Sequence, residues 1–368
     1  MTPTSNRTAV VYDGVILQPG CGAVPGDHYV PATPDGVLWG RLPHRGSEPL
    51  FTIERGTTVT IDTVSHEGIL EDQGRDPVAF FGTYGVDAAD VLTDARDVAA
   101  SAIDHRFGHD GPHVLNRPVA VAGAMPGDVL VVETVALDRR APYGIVSSRH
   151  GKGALPGEMP EGTGPGLVST FCTVEEGRGV LRDLHGHTAR FPLRPFLGLI
   201  AVGVDEDTPP SSVPPGPHGG NLDVRDLGVG STLYLPVQVE GALLSVGDPH
   251  FSQGHGEVAL TAFEAPLRAT LRIDVLPASA VAGLTHLSGP FGETATQWIA
   301  IGLGRDLDAA MRRAVRAALA TVVEETGMAR SAAYAYLSAA ADFVVSQVVD
   351  EVVGIHCLID KAHFAPGP

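Results

Sequence analysis

Basic residues are scarce in this chain. Its 25 lysines and arginines stand against 43 aspartates and glutamates, which gives a formal net charge of −18. Nucleic acids and anionic membrane surfaces bind clustered basic side chains, so this charge argues against both as partners. The sequence also lacks a signal-like N-terminus and any apolar run near the length of about 18 residues that could span a membrane. We therefore expect a soluble cytoplasmic protein that acts on small molecules or metal ions.

Cysteine is also rare. Cys21, Cys172 and Cys357 are odd in number and far apart, so they indicate no disulfide framework and favour a reducing compartment. Cys172 lies in an apolar segment and is interpreted as a buried strand residue.

Glycine and proline, in contrast, are abundant. The 45 glycines and 29 prolines, together with only 18% charged residues, favour a turn-rich β protein. A chain of 368 residues is expected to divide into smaller units. The composition predicts an N-terminal β lobe at 1–140 with an inserted loop at 65–118, a Gly/Pro-rich joint or lid at 141–190, a central β region at 191–300 and a C-terminal helical region at 301–368.

Hydrophobic patterns locate the elements within these regions. Alternations at 51–61 and 119–132 are each interrupted near a glycine and predict two hairpins. Further strands are predicted at 193–204, 232–239, 242–246, 258–263 and 269–275. In the last region, apolar residues at helical spacing predict one helix from an Asp306 cap to Gly327, and a second from Ser331 through Val344 and Val348.

The segment Gly247–Glu257 concentrates polar side chains directly after an apolar run. In an extended chain Asp248 and His250 point to the same side, and carboxylate and imidazole groups are common ligands of zinc. Glu257 could be a further ligand or a proton-transfer group. The alternative is an ordinary solvated turn.

Two other segments carry similar chemistry. His66, Glu67 and Asp72 follow an apolar strand and could complete a metal shell or form a solvated acidic turn. His218 stands on a rigid Pro/Gly-rich loop, 214–223, where Asn221 and Asp223 could simply hold the loop. The histidines at 105, 109 and 113 are interpreted as solvated loop residues, because nearby glycines and Pro112 disfavour a helix.

These motifs resemble the acetamidase/formamidase family. The resemblance rests on 214–223, 227–237, 241–250 and 253–258, with support from Pro126–Leu130 and from Tyr336-Leu337-Ser338 with Asp342. It implies a mainly β, multi-lobed fold with an α/β portion and C-terminal helices, a homo-oligomer (dimer or higher), and hydrolysis of a small neutral amide to carboxylate and ammonia. Some members of the family open lactam rings, and a divalent metal, Zn²⁺, fits the family and the ligand types present.

The chain departs from the family pattern near these motifs. His255 stands where the family usually has an acidic residue, Phe251-Ser252 replaces two small residues, and 66–76 differs from the usual Gly-Gly-Gln pattern. We therefore expect His255 to affect selectivity.

The predicted site assigns a role to each of these residues. Asp248, His250 and His218 are expected to hold the metal, and His66, Glu67 and Asp72 to complete its surroundings. Glu257 is expected to transfer the proton, with Glu67 and His255 as further catalytic candidates. Substrate contacts are assigned to Gly219, Gly220, Asn221 and Gln253, the two glycines through their backbone.

Two alternatives remain open at this stage. In one, amide hydrolysis needs no metal, and a carboxylate such as Glu257 or Glu67 acts with a histidine. In the other, the chain is a non-catalytic β protein that binds a metal or a small molecule.

Overall fold

The structure, a computed structural model, describes residues 14–161 and 166–364. The N-terminal segment considered above and residues 162–165 of the Gly/Pro-rich segment lie outside these ranges. Within them, most regular structure belongs to two large sheets.

The strands are numbered β1 to β21 in chain order. The first sheet runs in the order β1, β4, β17, β7, β14, β18, β19, β21, β20. Its strands are β1 (His28–Val30), β4 (Thr57–Asp62), β7 (Val129–Arg139), β14 (Thr232–Pro236), β17 (Leu267–Leu276), β18 (Phe291–Glu293), β19 (Gln297–Gly304), β20 (Asp342–Gln347) and β21 (Val353–Asp360).

The second sheet runs in the order β11, β10, β9, β8, β16, β15, β12, β13, with β5 also pairing with β15 and β2 with β5. Its strands are β2 (Val37–Trp39), β5 (Val114–Asn116), β8 (Tyr143–Arg149), β9 (Leu167–Glu175), β10 (Arg178–Arg182), β11 (Thr188–Pro192), β12 (Phe196–Ala201), β13 (Gly219–Asn221), β15 (Ser245–Ser252) and β16 (Phe263–Glu264). The short strands β3 (Thr52–Ile53) and β6 (Ala120–Val121) form a separate parallel pair.

The helices are α1 (Pro77–Gly82), α2 (Thr93–Ala100), α3 (Ala278–Val281), α4 (Leu307–Thr326) and α5 (Arg330–Ala340). The 3-10 turns span Glu71–Gln73, Ala88–Asp90, Thr285–Ser288 and Lys361–Phe364. Among the described residues, none of the helices combines the length and apolar character needed to cross a bilayer.

The main core lies between the two large sheets. Val59, Leu130 and Ile273 from the first sheet share one apolar cluster with Val246 and Phe251 from the second. Strands of both sheets thus contribute apolar side chains to one shared core, as expected for sheets that pack face to face. The predicted mainly β fold with C-terminal helices is confirmed.

Helix α4 covers one part of the first sheet. It begins at Asp306, whose side chain accepts a hydrogen bond from the Ala309 N–H, and it ends at Gly327, whose φ is 71°. Ala314 and Ala318 are fully buried on its inner face. The limits predicted for this helix, Asp306 and Gly327, are those observed.

The second helix predicted from the sequence extends beyond the end of the observed helix α5. Helix α5 ends at Ala340, and Asp342–Gln347 forms strand β20, which pairs antiparallel with β21. The continuation of the helical face through Val344 and Val348 is therefore wrong. The run Phe343-Val344-Val345 is aromatic and β-branched, and such residues favour an extended chain when a partner strand is available.

The two predicted hairpins also differ from the structure. The strands form, but β3 pairs with β6, whereas β4 pairs with β1 and β17. Strand β7 pairs with β14 and β17. The two strands on either side of each glycine are therefore not paired with each other, and each pairs with different strands.

The segment that carries Asp248 and His250 lies in the middle of the second sheet. Strand β15 extends from Ser245 to Ser252, between β12 and β16. The strand predicted at 258–263 is confined to Phe263–Glu264. Sheet pairing therefore places the polar part of β15 beside other strands and the loops that follow them.

Candidate functional site

A buried cluster of histidines and carboxylates forms around β15. The clustered side chains are His66, His113, Asp223, Asp248, His250, Glu257, Glu264 and Asp350. His66 follows β4, His113 directly precedes β5, and Glu264 of β16 is the cross-strand partner of His250. The sheet thus brings together residues that lie far apart in the sequence.

His66, His113 and Asp248 form one group of ligand type. The Nδ1 atom of His66 lies 3.5 Å from Asp248 Oδ1, and the Nε2 atom of His113 lies 3.9 Å from the same oxygen. The opposite nitrogens of the two rings have other neighbours: His66 Nε2 lies 3.4 Å from Glu67 Oε1, and His113 Nδ1 lies 2.9 Å from Ser212 Oγ. Both rings are therefore oriented with one nitrogen towards Asp248.

His250 forms a second group with Asp248 and Glu264. Its Nε2 atom lies 3.1 Å from Asp248 Oδ2 and 3.0 Å from Glu264 Oε1. These distances suit hydrogen bonds, but the angles do not, so Nε2 is left without a hydrogen-bond partner among the described residues. Asp248 therefore belongs to both groups, because its Oδ1 atom faces His66 and His113 and its Oδ2 atom faces His250.

Several carboxylates of the cluster adopt an unusual backbone conformation. The φ angles are 50° at Asp223, 53° at Asp248, 46° at Glu257 and 61° at Asp350. This left-handed region is sparsely populated by residues other than glycine, and such strain is typical of functional sites. Four residues with this strained backbone conformation are thus concentrated in the cluster.

Burial and mutual repulsion shift the pKa values of the acids. Burial, with repulsion from Asp223, raises the pKa of Glu257 well above its usual value. Burial and Asp248 raise the pKa of Asp350 to about 8, and Asn221 Nδ2 donates a hydrogen bond of 2.9 Å to Asp350 Oδ2. Asp248 shows the opposite shift, since the nearby His250 and His113 outweigh burial and hold its pKa well below the usual range.

The pKa values of the histidines also shift in opposite directions. Burial disfavours a charge on His66, but its contacts with Asp248 and Glu67 outweigh this and raise its pKa to about 10. The pKa of His113 falls to about 4 because burial dominates there. The cluster thus contains both proton-holding and neutral imidazoles.

The residues present fit a divalent metal. Among the described residues, His66 Nδ1, Asp248 Oδ1, both ring nitrogens of His250 and Glu264 Oε2 are buried without a hydrogen-bond partner. Buried polar atoms are rarely left unsatisfied, and imidazole nitrogen with carboxylate oxygen is a zinc-type ligand set. Gly198 also leaves space for the two carboxylates. A Cβ atom at this position would lie 2.5 Å from an oxygen of Asp223 and 2.5 Å from an oxygen of Asp248.

A cavity of about 790 Å³ opens on the cluster. Its wall combines the site carboxylates with apolar side chains such as Phe107, Leu260 and Val348. A partly apolar wall around a few convergent polar groups is typical of a small-molecule site.

The structure brings three of the predicted metal ligands together and leaves two apart. His66, Asp248 and His250 belong to the cluster. Asp72 instead lies 3.3 Å from Arg149 and 3.1 Å from His150. Among the described residues, His218 does not line the cavity and forms no ion pair, and burial lowers its pKa to about 4. Its ring packs over Gly216 and Gly220 of its own loop.

Glu67 lies beside the cluster rather than inside it. Its carboxylate accepts hydrogen bonds from Arg149 and Gln73 and, at 2.7 Å, from Ser147 Oγ. Burial opposes its charge, yet Arg149 and His66 lower its pKa to about 2. A carboxylate held this firmly can orient His66.

The predicted substrate contacts are dispersed. Asn221 lines the cavity, whereas Gln253 Nε2 donates to the carbonyls of Asp223 and Ser346 at 2.9 and 3.2 Å. The N–H of Gly219 donates to the Gly216 carbonyl, and Gly220 belongs to the β13 pairing with β12. His255 lies outside the main cluster, near Asp226 and His356.

Four residues of the cluster were not predicted as site residues. His113 was interpreted as a solvated loop residue and Asp223 as a support for its loop, but both are buried, with 5% and 1% of their surface exposed. Glu264 and Asp350 were not considered. The Pro112-His113 step directly before an apolar strand resembles the Pro249-His250 step, and this was the available signal for His113.

The raised pKa of Asp350 predicts a pH-dependent stability of the metal-free protein. Because its carboxyl is protonated in the folded state up to about pH 8 but ionises near 3.8 when unfolded, its stabilising contribution is lost as pH rises between these values. One such group changes the free energy of unfolding by at most about 1.4 kcal/mol per pH unit. We expect Asp350→Asn, which cannot ionise, to flatten the decline in stability from pH 5 to 8, measured by urea unfolding with chelator present.

The control for this measurement is Asp138→Asn, the same change at an exposed strand position. Its unfolding free energies should follow the wild-type pH profile. Parallel profiles for Asp350→Asn and the wild type would contradict the prediction.

Part of the chain is similar to a known protein family. Residues 206–359 match the sequence pattern of the acetamidase/formamidase family. A formamidase from Methylophilus methylotrophus is 30% identical over 216 residues, which cover 46% of this chain and 50% of that protein. An acetamidase from Mycolicibacterium smegmatis is 28% identical over 198 residues, which cover 40% and 49%. The matched region thus spans about half the length of these curated relatives.

The fold comparison extends over almost the whole chain. The crystal structure of an acetamidase from Yersinia enterocolitica superposes with a TM-score of 0.73 at 25% identity, covering 96% of this chain and 98% of that one. The matching segment in sequence, 206–359, includes Asp223, Asp248 and His250. Residues 206–359 of the chain are therefore similar in sequence to the acetamidase/formamidase family, and almost the whole chain shares the fold of an acetamidase.

Proposed function

We propose that this protein hydrolyses a linear or cyclic carboxamide to a carboxylate and ammonia or an amine. The observation that carries the proposal is the buried His/carboxylate cluster, whose ligand atoms lack partners and face a cavity of about 790 Å³. The similarity to proteins named formamidase and acetamidase supports the same reaction class.

A divalent metal, with zinc as the proposed ion, would be held by His66, His113 and Asp248, with His250 and Glu264 on the other side of Asp248. When bound, such an ion lowers the pKa of water and polarises a carbonyl group. Neighbouring side chains orient the two histidines for metal binding. Glu67 and Ser212 engage the outer nitrogens of His66 and His113, so the inner nitrogens remain available, an arrangement common around metal-binding histidines.

Glu257 is the proposed proton carrier. It is buried, it lines the cavity, and its Oε2 atom has no hydrogen-bond partner among the described residues. Its raised pKa brings it closer to the pH at which a carboxyl group can both accept and return a proton. Glu257 would accept a proton from the attacking water and donate it to the leaving nitrogen.

The cavity supports a substrate larger than formamide. Its volume of about 790 Å³ lies within the range of sites for drug-sized ligands. Its wall includes Phe107, Leu260 and Val348, which would contact an apolar acyl or ring group. We expect a higher kcat/KM for a longer amide or a lactam than for formamide or acetamide.

Ammonia and amine release from a panel of linear amides and lactams tests the proposal. The panel is assayed with protein as purified, after chelation, and after zinc is restored. We expect release that disappears with the metal and returns with it. Full activity after chelation would favour the metal-independent reaction of a carboxylate with a histidine, and no release from any member would favour a binding protein without catalysis.

We also propose a cytoplasmic homo-oligomer. The free cysteines suit a reducing compartment. The exposed apolar side chains of Met311 and Tyr334, on α4 and α5, suit contact with another copy. Sedimentation of the purified protein at the mass of a single chain would exclude the oligomer.

A further inference from the structure

A second group of metal-ligand type lies outside the cavity cluster. It consists of Asp226, His255 and His356. The Nε2 atom of His356 lies 3.1 Å from Asp226 Oδ2, and the Nε2 atom of His255 lies 3.9 Å from the same oxygen. We propose that these three residues form a second site for a first-row transition-metal dication such as zinc.

The spacing of the ligand atoms supports this assignment. Tetrahedral zinc with bonds of 2.0 to 2.1 Å separates its ligand atoms by about 3.3 Å. The two observed separations, 3.1 and 3.9 Å, lie on either side of that value. Rotation of the His255 side chain, which is 25% exposed, would bring its nitrogen closer to that spacing.

The ring of His356 is already oriented for a metal. Its side chain is fully buried, and Ser346 Oγ lies 2.7 Å from Nδ1. With Nδ1 held by the hydroxyl, Nε2 is hydrogen-bonded to Asp226 Oδ2, the oxygen that also faces His255. A second hydrogen bond on the far nitrogen is the usual support of a ligating histidine.

An ion can reach this group without passing through the main cavity. The side chain of Asp226 is 22% exposed, and His255 lines a second depression of about 520 Å³, whose wall shares Glu257 with the main cavity. Arg225 also lines this depression and adds a positive charge near the group, which weakens cation binding. Its own contact, a donation of 3.3 Å to the Gln253 carbonyl, directs one of its guanidinium nitrogens to the backbone.

The location of the group suggests a role for the ion. Asp226 follows Asp223 on the same loop, His255 precedes Glu257, and His356 lies on β21 after the turn that carries Asp350. Each segment that would contribute a ligand therefore also contributes a carboxylate to the cavity cluster. A metal at Asp226, His255 and His356 would tie these segments together and stabilise the strained loops behind the cavity.

Cobalt binding tests the second site directly. Protein is freed of metal by chelation and titrated with Co²⁺, which reports N/O ligation by its visible absorption, and the bound ions are counted by elemental analysis. We expect His255→Asn and Asp226→Asn each to bind one equivalent fewer than the wild type. Both positions are partly exposed, so these variants should fold. The exposed His185→Asn serves as a matched control and should bind the wild-type number.

The main-site variant Asp248→Asn separates this inference from the proposed function. We expect it to keep the equivalent that His255→Asn loses. The second site is excluded if His255→Asn binds as many ions as the wild type, or if Asp248→Asn binds none. Loss at His255→Asn with an unchanged count at Asp248→Asn would support the second site and contradict a metal in the cavity.

Discussion

Asp248→Asn is expected to abolish metal binding in the cavity and to lower kcat/KM for the amide substrate by at least about 1000-fold. Asp248 Oδ1 faces His66 and His113, and Oδ2 lies 3.1 Å from His250 Nε2. Asparagine replaces one of these oxygens by an amide nitrogen, which donates hydrogen bonds and does not act as a metal ligand. The variant therefore removes the ligand common to both groups with almost no change in volume.

The fold should tolerate this substitution. Asp248 has a φ of 53°, and asparagine occupies this left-handed region as readily as aspartate does. Activity is measured by ammonia release, metal content by elemental analysis and folding by thermal melting. Asp138→Asn provides the same chemical change on an exposed strand and should match the wild type in all three.

Two outcomes for Asp248→Asn would contradict the proposal in different ways. A variant that keeps its cavity metal and retains activity within tenfold would remove Asp248 from the ligand set. A variant that loses the metal but keeps its activity would favour the reaction without metal, in which Glu257 and a histidine act on water alone.

Asp248 and His250 were accessible from the sequence because they depend on a local rule. In an extended chain every second residue points to the same side, and Asp248-Pro249-His250 follows an apolar strand. The φ of 53° at Asp248 departs from this regular geometry, but the two side chains still approach each other. The structure places both residues on β15 with their polar atoms 3.1 Å apart. The family resemblance carried by the same segment also predicted the fold, since it did not depend on which strands pair.

His113 and Glu264 depend instead on strand pairing. His113 precedes β5, whose Leu115 pairs with Gly247 of β15, and Glu264 pairs with His250. These partners are separated by 132 and 14 residues in the sequence respectively. Local periodicity contains no information about such pairings, and the same limit explains why the predicted hairpins joined the wrong strands.

His218 shows the opposite limit. Its Pro/Gly-rich loop has the composition of a ligand-presenting segment, but composition does not determine the direction of a side chain. The φ angles of 80° and 81° at Gly219 and Gly220 turn the chain, and the His218 ring packs against its own loop. Asn221 and Asp223, which follow this turn, line the cavity. The motif therefore contributes these two residues to the site, and His218 lies outside it.

Gly198 lies on β12, directly against the cavity cluster. A Cβ atom at this position would lie 2.5 Å from Asp223 Oδ1, 2.5 Å from Asp248 Oδ2 and 2.7 Å from His250 Cε1. Real Cβ atoms do not approach other atoms so closely, so the three side chains would have to move. Gly198 stands in the apolar strand Phe196–Ala201, and an isolated glycine inside a strand often marks such a close approach.

Gly198→Ala is therefore expected to reduce kcat/KM by about 100-fold or more, since displacements of about 1 Å at a reacting centre have effects of that size. Metal affinity should fall with it, because Asp248 and His250 would both be displaced. We expect stability to fall by only about 1 to 3 kcal/mol, the usual effect of one added methyl group in a packed interior. Metal titration, amide hydrolysis and urea unfolding measure the three effects.

Gly289→Ala is the matched control for this variant. Gly289 has an extended backbone with φ of −143°, and an added Cβ would meet no atom within 4 Å. It should therefore retain the wild-type activity, metal affinity and stability. If Gly198→Ala behaves like Gly289→Ala, the close approach of β12 to Asp223, Asp248 and His250 does not constrain the site, and the ligand positions proposed for Asp248 and His250 are incorrect. A selective loss of metal and activity at position 198 would instead show that the spacing between β12 and β15 determines the geometry of the cluster.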